Sequence, residues 1–128
     1  MNEDGNYKKL IVWKKSIILV KQIYRLTQKF PSEEKFGLTS QIRRAVVSIP
    51  SNIAEGQARR TTGDYIRFIS IAEGSLAELE TQMIISIELE FCSKNEVEGN
   101  FALMLEIRKM LNALRRSLVN KLGSRNDS

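Results

Sequence analysis

A chain of 128 residues, 42% hydrophobic and 27% charged, has the size and make-up of one globular domain with its own core. It has no histidine and a single cysteine, Cys92, which excludes histidine-activated nucleophiles, imidazole general bases, His-ligated metals and an internal disulfide. Apolar runs such as IILV at residues 17–20 fall far short of the ~18 residues a membrane span needs, and the net charge of +5 favours acidic partners.

The start, MNEDGNYKK, is acidic and then polar, without an apolar signal core. A cytoplasmic protein is expected, and the lone Cys92 fits a reducing compartment. The first helix is predicted over residues 7–30. Leu10, Trp13, Ile17, Val20 and Tyr24 recur at alternating steps of three and four, and Leu19, Ile23, Leu26 and Phe30 form a second row beside them. A helix apolar over two rows sits deep in a core or faces a second chain. FPSEEKFG, with its proline and glycine, marks the turn that follows.

The second helix, residues 38–59, carries Leu38, Ile42, Ala45, Val46, Ile49 and Ile53, and the row crosses Pro50 without changing period. Interior proline costs about 3 kcal/mol, so the pattern predicts one helix kinked at Pro50, with the Ser48 and Ser51 hydroxyls helping to satisfy the freed carbonyl. The alternative is a helix ending at Ser48 and another starting at Pro50. TTGD then places Thr62 as N-cap and Asp64 in the first turn of a third helix. Tyr65, Ile69, Ala72, Leu76, Leu79, Met83 and Ile87 give its stripe, to about residue 91. Gly74 in mid-helix costs about 1 kcal/mol and predicts a close helix crossing beside Ser75 and Ala77.

After CSKNEVEGN, a fourth helix is predicted over 97–122, with Phe101, Met104, Ile107, Leu111, Leu114 and Leu118 inward. Residues 1–6 and 123–128 are expected to be disordered tails around one domain at 7–122. Four long helices with short connections predict an all-α, antiparallel up-down-up-down four-helix bundle.

Charge is unevenly spread. Residues 1–60 hold twelve Lys and Arg against five acids, residues 61–100 hold two against eight, and residues 101–128 hold six against two. On an up-down bundle, one pole then collects Lys8, Lys9, Lys14, Lys15, Arg59, Arg60, Arg67, Arg115, Arg116 and Lys121. The helix dipole accounts for cations at helix ends, at ~0.3–1 kcal/mol each, but not for four lysines at the start of the first helix. These ten residues are the candidate contacts to phosphate backbones. At the other pole Lys29, Lys35, Arg43 and Arg44 meet Glu88, Glu90, Glu96 and Glu98. The apolar first helix and the acidic third one also suit head-to-tail self-association into a ring.

FPSEEKFGLTSQIRRAVVSIPSNIAEGQARR, then YIRFISIAEGSLAELETQ, with Trp13 and IYRLTQKFP ahead of them, resembles the bacterial 23S rRNA intervening-sequence proteins. The likeness spans about residues 10–87. It implies four antiparallel helices assembling as a homopentamer around a central channel, similar in fold to the basic pentameric accessory protein of diversity-generating retroelements, which engages nucleic acid and a reverse transcriptase. The matching motif residues are Arg43, Arg44, Ser48, Pro50, Asn52, Glu55, Gly56, Arg60, Arg67, Ser75, Glu78 and Glu80. Arg43, Arg44, Ser48, Asn52, Glu55, Glu78 and Glu80 are then expected to form a polar network, with Glu78 or Glu80 pairing Arg43 or Arg44. Glu73 is an acid where the family often has an apolar or basic residue.

The resulting expectation is a non-catalytic protein, with no cofactor, no metal and no membrane, that self-associates and binds RNA or another nucleic acid through its basic pole. The rival is a protein-interaction adaptor with no direct nucleic-acid role. A carboxylate-metal enzyme would require Glu55, Glu78 or Glu80 to face inward together.

Overall fold

The structure is a computed structural model and describes residues 7–125; the tail expected at 1–6, and residues 126–128 of the one expected at 123–128, lie outside the described residues. A single 3₁₀ turn at Tyr7–Lys9 leads into α1 (Ile11–Thr27), and a second at Ser32–Glu34 precedes α2 (Leu38–Gln57); α3 (Thr62–Glu88) and α4 (Glu98–Arg125) complete the chain. Among the described residues there is no strand, and the fold is all-α with four helices. α4 continues three residues past 122, so 123–125 are helical rather than part of a tail.

Apolar periodicity decides which face of each helix turns inward. The buried set of α1 is Val12, Ser16, Leu19, Ile23, Leu26 and Thr27, with Phe30 just beyond it. The inner row is therefore the second of the two read from the sequence. The other row stays at the flank: Leu10, Trp13, Ile17 and Val20 are half-buried and Tyr24 is exposed. Ile42, Ile49 and Ile53 of α2 meet Ile69, Leu76, Leu79 and Met83 of α3 and Met104, Ile107 and Leu111 of α4, all essentially without solvent contact. Each such side chain stabilises the fold by about 1.5–3 kcal/mol.

α2 packs on α3, α3 on α4, and α1 on both α2 and α4. Side-chain contacts give the registers. Ser48 faces Ser75 while Gly56 faces Tyr65 and Phe68; Glu73 pairs with Arg115 while Glu80 pairs with Arg108; Lys15 pairs with Glu106 while Gln22 bonds Asn100. In these three of the four interfaces, residue numbers rise on one helix as they fall on the other.

Pro50 is buried inside a continuous α2, so the two-helix alternative does not hold. Ser51 donates to the Val47 carbonyl and Asn52 Nδ2 to the Ser48 carbonyl, both 2.8 Å. The Ser51 hydroxyl and the Asn52 amide thus serve neighbouring carbonyls rather than that of Val46, which faces the missing proline N–H; Ser48 Oγ is turned to Ser75 instead.

The N-cap of α3 is Thr61, one residue before the expected Thr62, because its Oγ1 accepts from Asp64 N at 3.1 Å. Gly74 is exposed, and an added Cβ there would meet nothing within 4 Å, so no close crossing explains it within the chain. The close crossing is at Gly56.

Candidate nucleic-acid interface

The end of α2 and the start of α3 are held together at Gly56, which has Phe68 and Tyr65 directly against it. Phe68 is nearly buried and offers its ring to two cations. The Arg59 guanidinium carbon lies 4.7 Å from the ring centroid and that of Arg67 lies 4.5 Å from it. A ring face draws a cation by ~0.5–1 kcal/mol at such exposed sites. An arginine from the connection after α2 and one from the first turns of α3 are thereby brought to one spot although like charges repel. Arg59 also pairs with Glu55 one turn back, at 2.6 Å. Burial raises the Tyr65 hydroxyl pKa above its ordinary value, so the phenol beneath this cluster stays neutral.

The 3₁₀ turn that carries Lys8 and Lys9 packs against α2, with Tyr7 edge-on to Trp13 at 5.3 Å. Both lysines are exposed, as are Lys14, Arg60, Arg116 and Lys121. Lys15 and Arg115 are placed differently. Lys15 reaches α4 to pair with Glu106 at 2.9 Å, and Arg115 Nε donates to Glu73 Oε1 at 2.9 Å. These two cations clamp helices to each other, with carboxylates already in contact.

The seven motif residues expected to form one network fall into separate groups. Ser48, Ser75 and Asn52 do join: the two hydroxyls are 2.8 Å apart and Asn52 Nδ2 donates to Ser48 Oγ at 2.9 Å. Arg43 turns to α1 instead, where Nε donates to Thr27 Oγ1 at 2.9 Å, Nη2 to the Tyr24 carbonyl at 3.2 Å, and the guanidinium covers the Tyr24 ring. Glu80 pairs with Arg108 of α4, and Glu78 accepts from Gln82. The expected link from Glu80 to Arg43 or Arg44 is thus replaced by one across α3 and α4. Arg44 and Glu78 do line one groove of about 370 Å³ together with Ser48 and Ser75. At the mixed pole, Lys29 pairs with Glu96 at 2.7 Å.

Glu55, Glu78 and Glu80 each have a different partner, and no group of three Cys, Asp or Glu side chains positioned to hold a metal gathers among the described residues. No helix there is long and apolar enough to cross a membrane. Sequence reasoning missed Phe68 as the collecting ring and Thr27 and Arg108 as partners. Phe68 had a readable signal, since it stands three residues after Tyr65 and four before Ala72 on the inward stripe.

The comparisons with known proteins agree with this architecture. A solved structure from Bacteroides thetaiotaomicron, a protein with unknown function from the S23 ribosomal protein family, superposes with a TM-score of 0.76 at 27% identity, covering 82% of this chain and 98% of that one. Among curated proteins no match was found. The family model for the 23S rRNA-intervening sequence protein matches residues 8–113. With that match spanning most of the four helices, the chain belongs to the 23S rRNA-intervening sequence protein family.

Proposed function

We propose that this protein is a non-catalytic, cytoplasmic, up-down-up-down bundle, bent at Pro50, that assembles as a homopentamer and binds RNA through the pole formed by the start of α1, the end of α2, the start of α3 and the end of α4. The observation that carries the reading is the convergence of Arg59 and Arg67 on Phe68, with the Lys8–Lys9 turn also packed against α2. Guanidinium groups held in place by a ring lose less freedom on meeting a phosphate than free side chains do. Their contacts position a polyanion without reading its sequence.

Lys8, Lys9, Lys14, Arg59, Arg60, Arg67, Arg116 and Lys121 are the contacts in this reading, and Lys15 and Arg115 stiffen the helices that carry them. The test is binding of a 23S rRNA fragment and of unrelated RNA over a salt series. Arg59→Glu with Arg60→Glu abolishes binding while light scattering still returns the mass of a pentamer. Undiminished affinity in that double variant removes the assignment.

A second reading, a protein-interaction adaptor, draws support from the outward side of α3, where Ile71, Ile84 and Ile85 are exposed, with Leu89 exposed just after its end. In that case RNA binding vanishes at moderate salt, and the double charge reversal leaves partner binding unchanged.

A further inference from the structure

The turn before α2 carries the most exposed large apolar side chain among those described, Phe36, at 91% exposure. Its ring joins no helical row and lies on the rim of an open groove of about 590 Å³. Tyr24, Lys35, Arg43 and Arg44 line the same groove, with the hydroxyls of Thr39 and Ser40. Lys35 Nζ is 5.5 Å from the Phe36 centroid, and the Arg43 guanidinium is 4.5 Å from that of Tyr24. No carboxylate lines the groove. Glu34, an acid of the same turn, is engaged elsewhere, accepting from Leu38 N at the start of α2.

We infer that this groove takes an unpaired nucleotide of a single-stranded nucleic acid, with its base stacked on Phe36 and its flanking phosphates on Lys35 and Arg44. The chemistry matches part by part. An aromatic face in water is stabilised by covering, and every base has a face to cover it with. Cations on a groove wall that holds no carboxylate attract phosphate, although Arg44 also borders the neighbouring groove that Glu78 lines. The hydrogen bonds of Arg43 to Thr27 and to the Tyr24 carbonyl fix the groove wall, so the wall is formed before a ligand arrives. A duplex keeps its bases stacked inside and presents no face to the ring. The site lies on the turn between α1 and α2, apart from the Arg59 and Arg67 cluster, so it goes beyond the basic-pole reading and is tested by different substitutions.

The experiment measures fluorescence anisotropy of the full chain with a labelled single strand, of RNA or of DNA, the same strand made abasic, a duplex of equal length, and a polyglutamate peptide. Phe36→Ala weakens single-strand binding about tenfold, Phe36→Trp restores it, and duplex binding stays within about twofold. Because Phe36 is almost fully exposed, its removal leaves the fold intact. The abasic strand binds the wild type as weakly as the intact strand binds Phe36→Ala, and Lys35→Glu weakens both strands. Arg59→Glu with Arg60→Glu lowers duplex binding, which separates failure of the pole from failure of the groove. Equal binding of intact and abasic strands overturns the inference. So does a Phe36→Ala protein that binds strands normally but loses self-association, which assigns the groove to a second copy. Polyglutamate binding as tightly as the single strand, and lost in Phe36→Ala, assigns it to an acidic protein and overturns the inference too.

Discussion

Gly56 and Phe68 are in such close contact that a Cβ added to Gly56 would lie 2.8 Å from the Cβ of Phe68 and 3.1 Å from Cδ1 of Tyr65. Real Cβ atoms do not approach so closely, and the neighbours are the inner atoms of anchored side chains rather than flexible tips. The α2–α3 crossing and the placement of the Arg59 and Arg67 ring platform therefore depend on one missing methyl group.

Gly56→Ala is accordingly destabilising by about 1–3 kcal/mol, despite alanine being the better helix former. Thermal unfolding shows a midpoint several degrees lower. Gly74→Ala is the control. Its added Cβ meets nothing, so it stabilises by up to ~1 kcal/mol. Equal responses at the two glycines contradict the crossing.

Glu90 is in the left-handed region at φ 64°, just after α3. Phe91 N donates to the Ser86 carbonyl and Glu90 N to that of Ile87, the paired bonds of a Schellman ending. That position favours glycine, and a residue with a Cβ is disfavoured there by about 1 kcal/mol or more. Glu90→Gly therefore stabilises the fold, by about 1 kcal/mol at most because glycine also frees the unfolded chain, and raises the denaturant midpoint. A lowered midpoint contradicts this reading of the helix end.

Cys92 is buried, and burial first, then the Glu96 charge, raises its thiol pKa above the ordinary value, with Lys29 acting in the opposite sense. A raised pKa leaves less thiolate at any given pH. Ellman's reagent thus reacts slowly with the native protein, faster only as pH climbs past the ordinary thiol range, and quickly once urea unfolds the chain. Native and unfolded rates that coincide at neutral pH would show the side chain to be open.

The Lys29 ammonium, and then the backbone N–H of Ser93, hold the Glu96 carboxyl below its ordinary 4.5. A carboxyl with a lowered pKa in the fold stabilises it at pH above the ordinary value and loses that contribution as pH falls from there through the lowered one. The pair is exposed, so its effect is small and salt-sensitive. Glu96→Gln flattens the acid side of the stability profile, read from urea midpoints at successive pH values. An unchanged acid slope contradicts it.

The inward rows of α2, α3 and α4 were legible because a period of 3.6 has one solution when the polar face is well defined. The double row of α1 was not resolved: Leu10, Trp13, Ile17 and Val20 match helical spacing as well as Leu19, Ile23 and Leu26 do. Only packing against α2 and α4 selects between them. Gly74 and Gly56 look alike in sequence, and the difference lies in what each faces across a helix pair. Charge partners were the least legible, since Arg43 finds Thr27 and Glu80 finds Arg108 through the registers of α1–α2 and α3–α4. Phe36 carried a signal that passed unused, an aromatic beside a lysine in a polar turn with no apolar row to join.

The most direct measurement of the central claim is the salt dependence of RNA affinity for the wild type and for the Arg59→Glu, Arg60→Glu protein. The account predicts a linear fall of log affinity with log salt in the wild type. In the variant, affinity is lost and any residual slope is shallower by about one for each phosphate contact removed. Equal affinities and equal slopes for the two proteins, at unchanged oligomer mass, would contradict it.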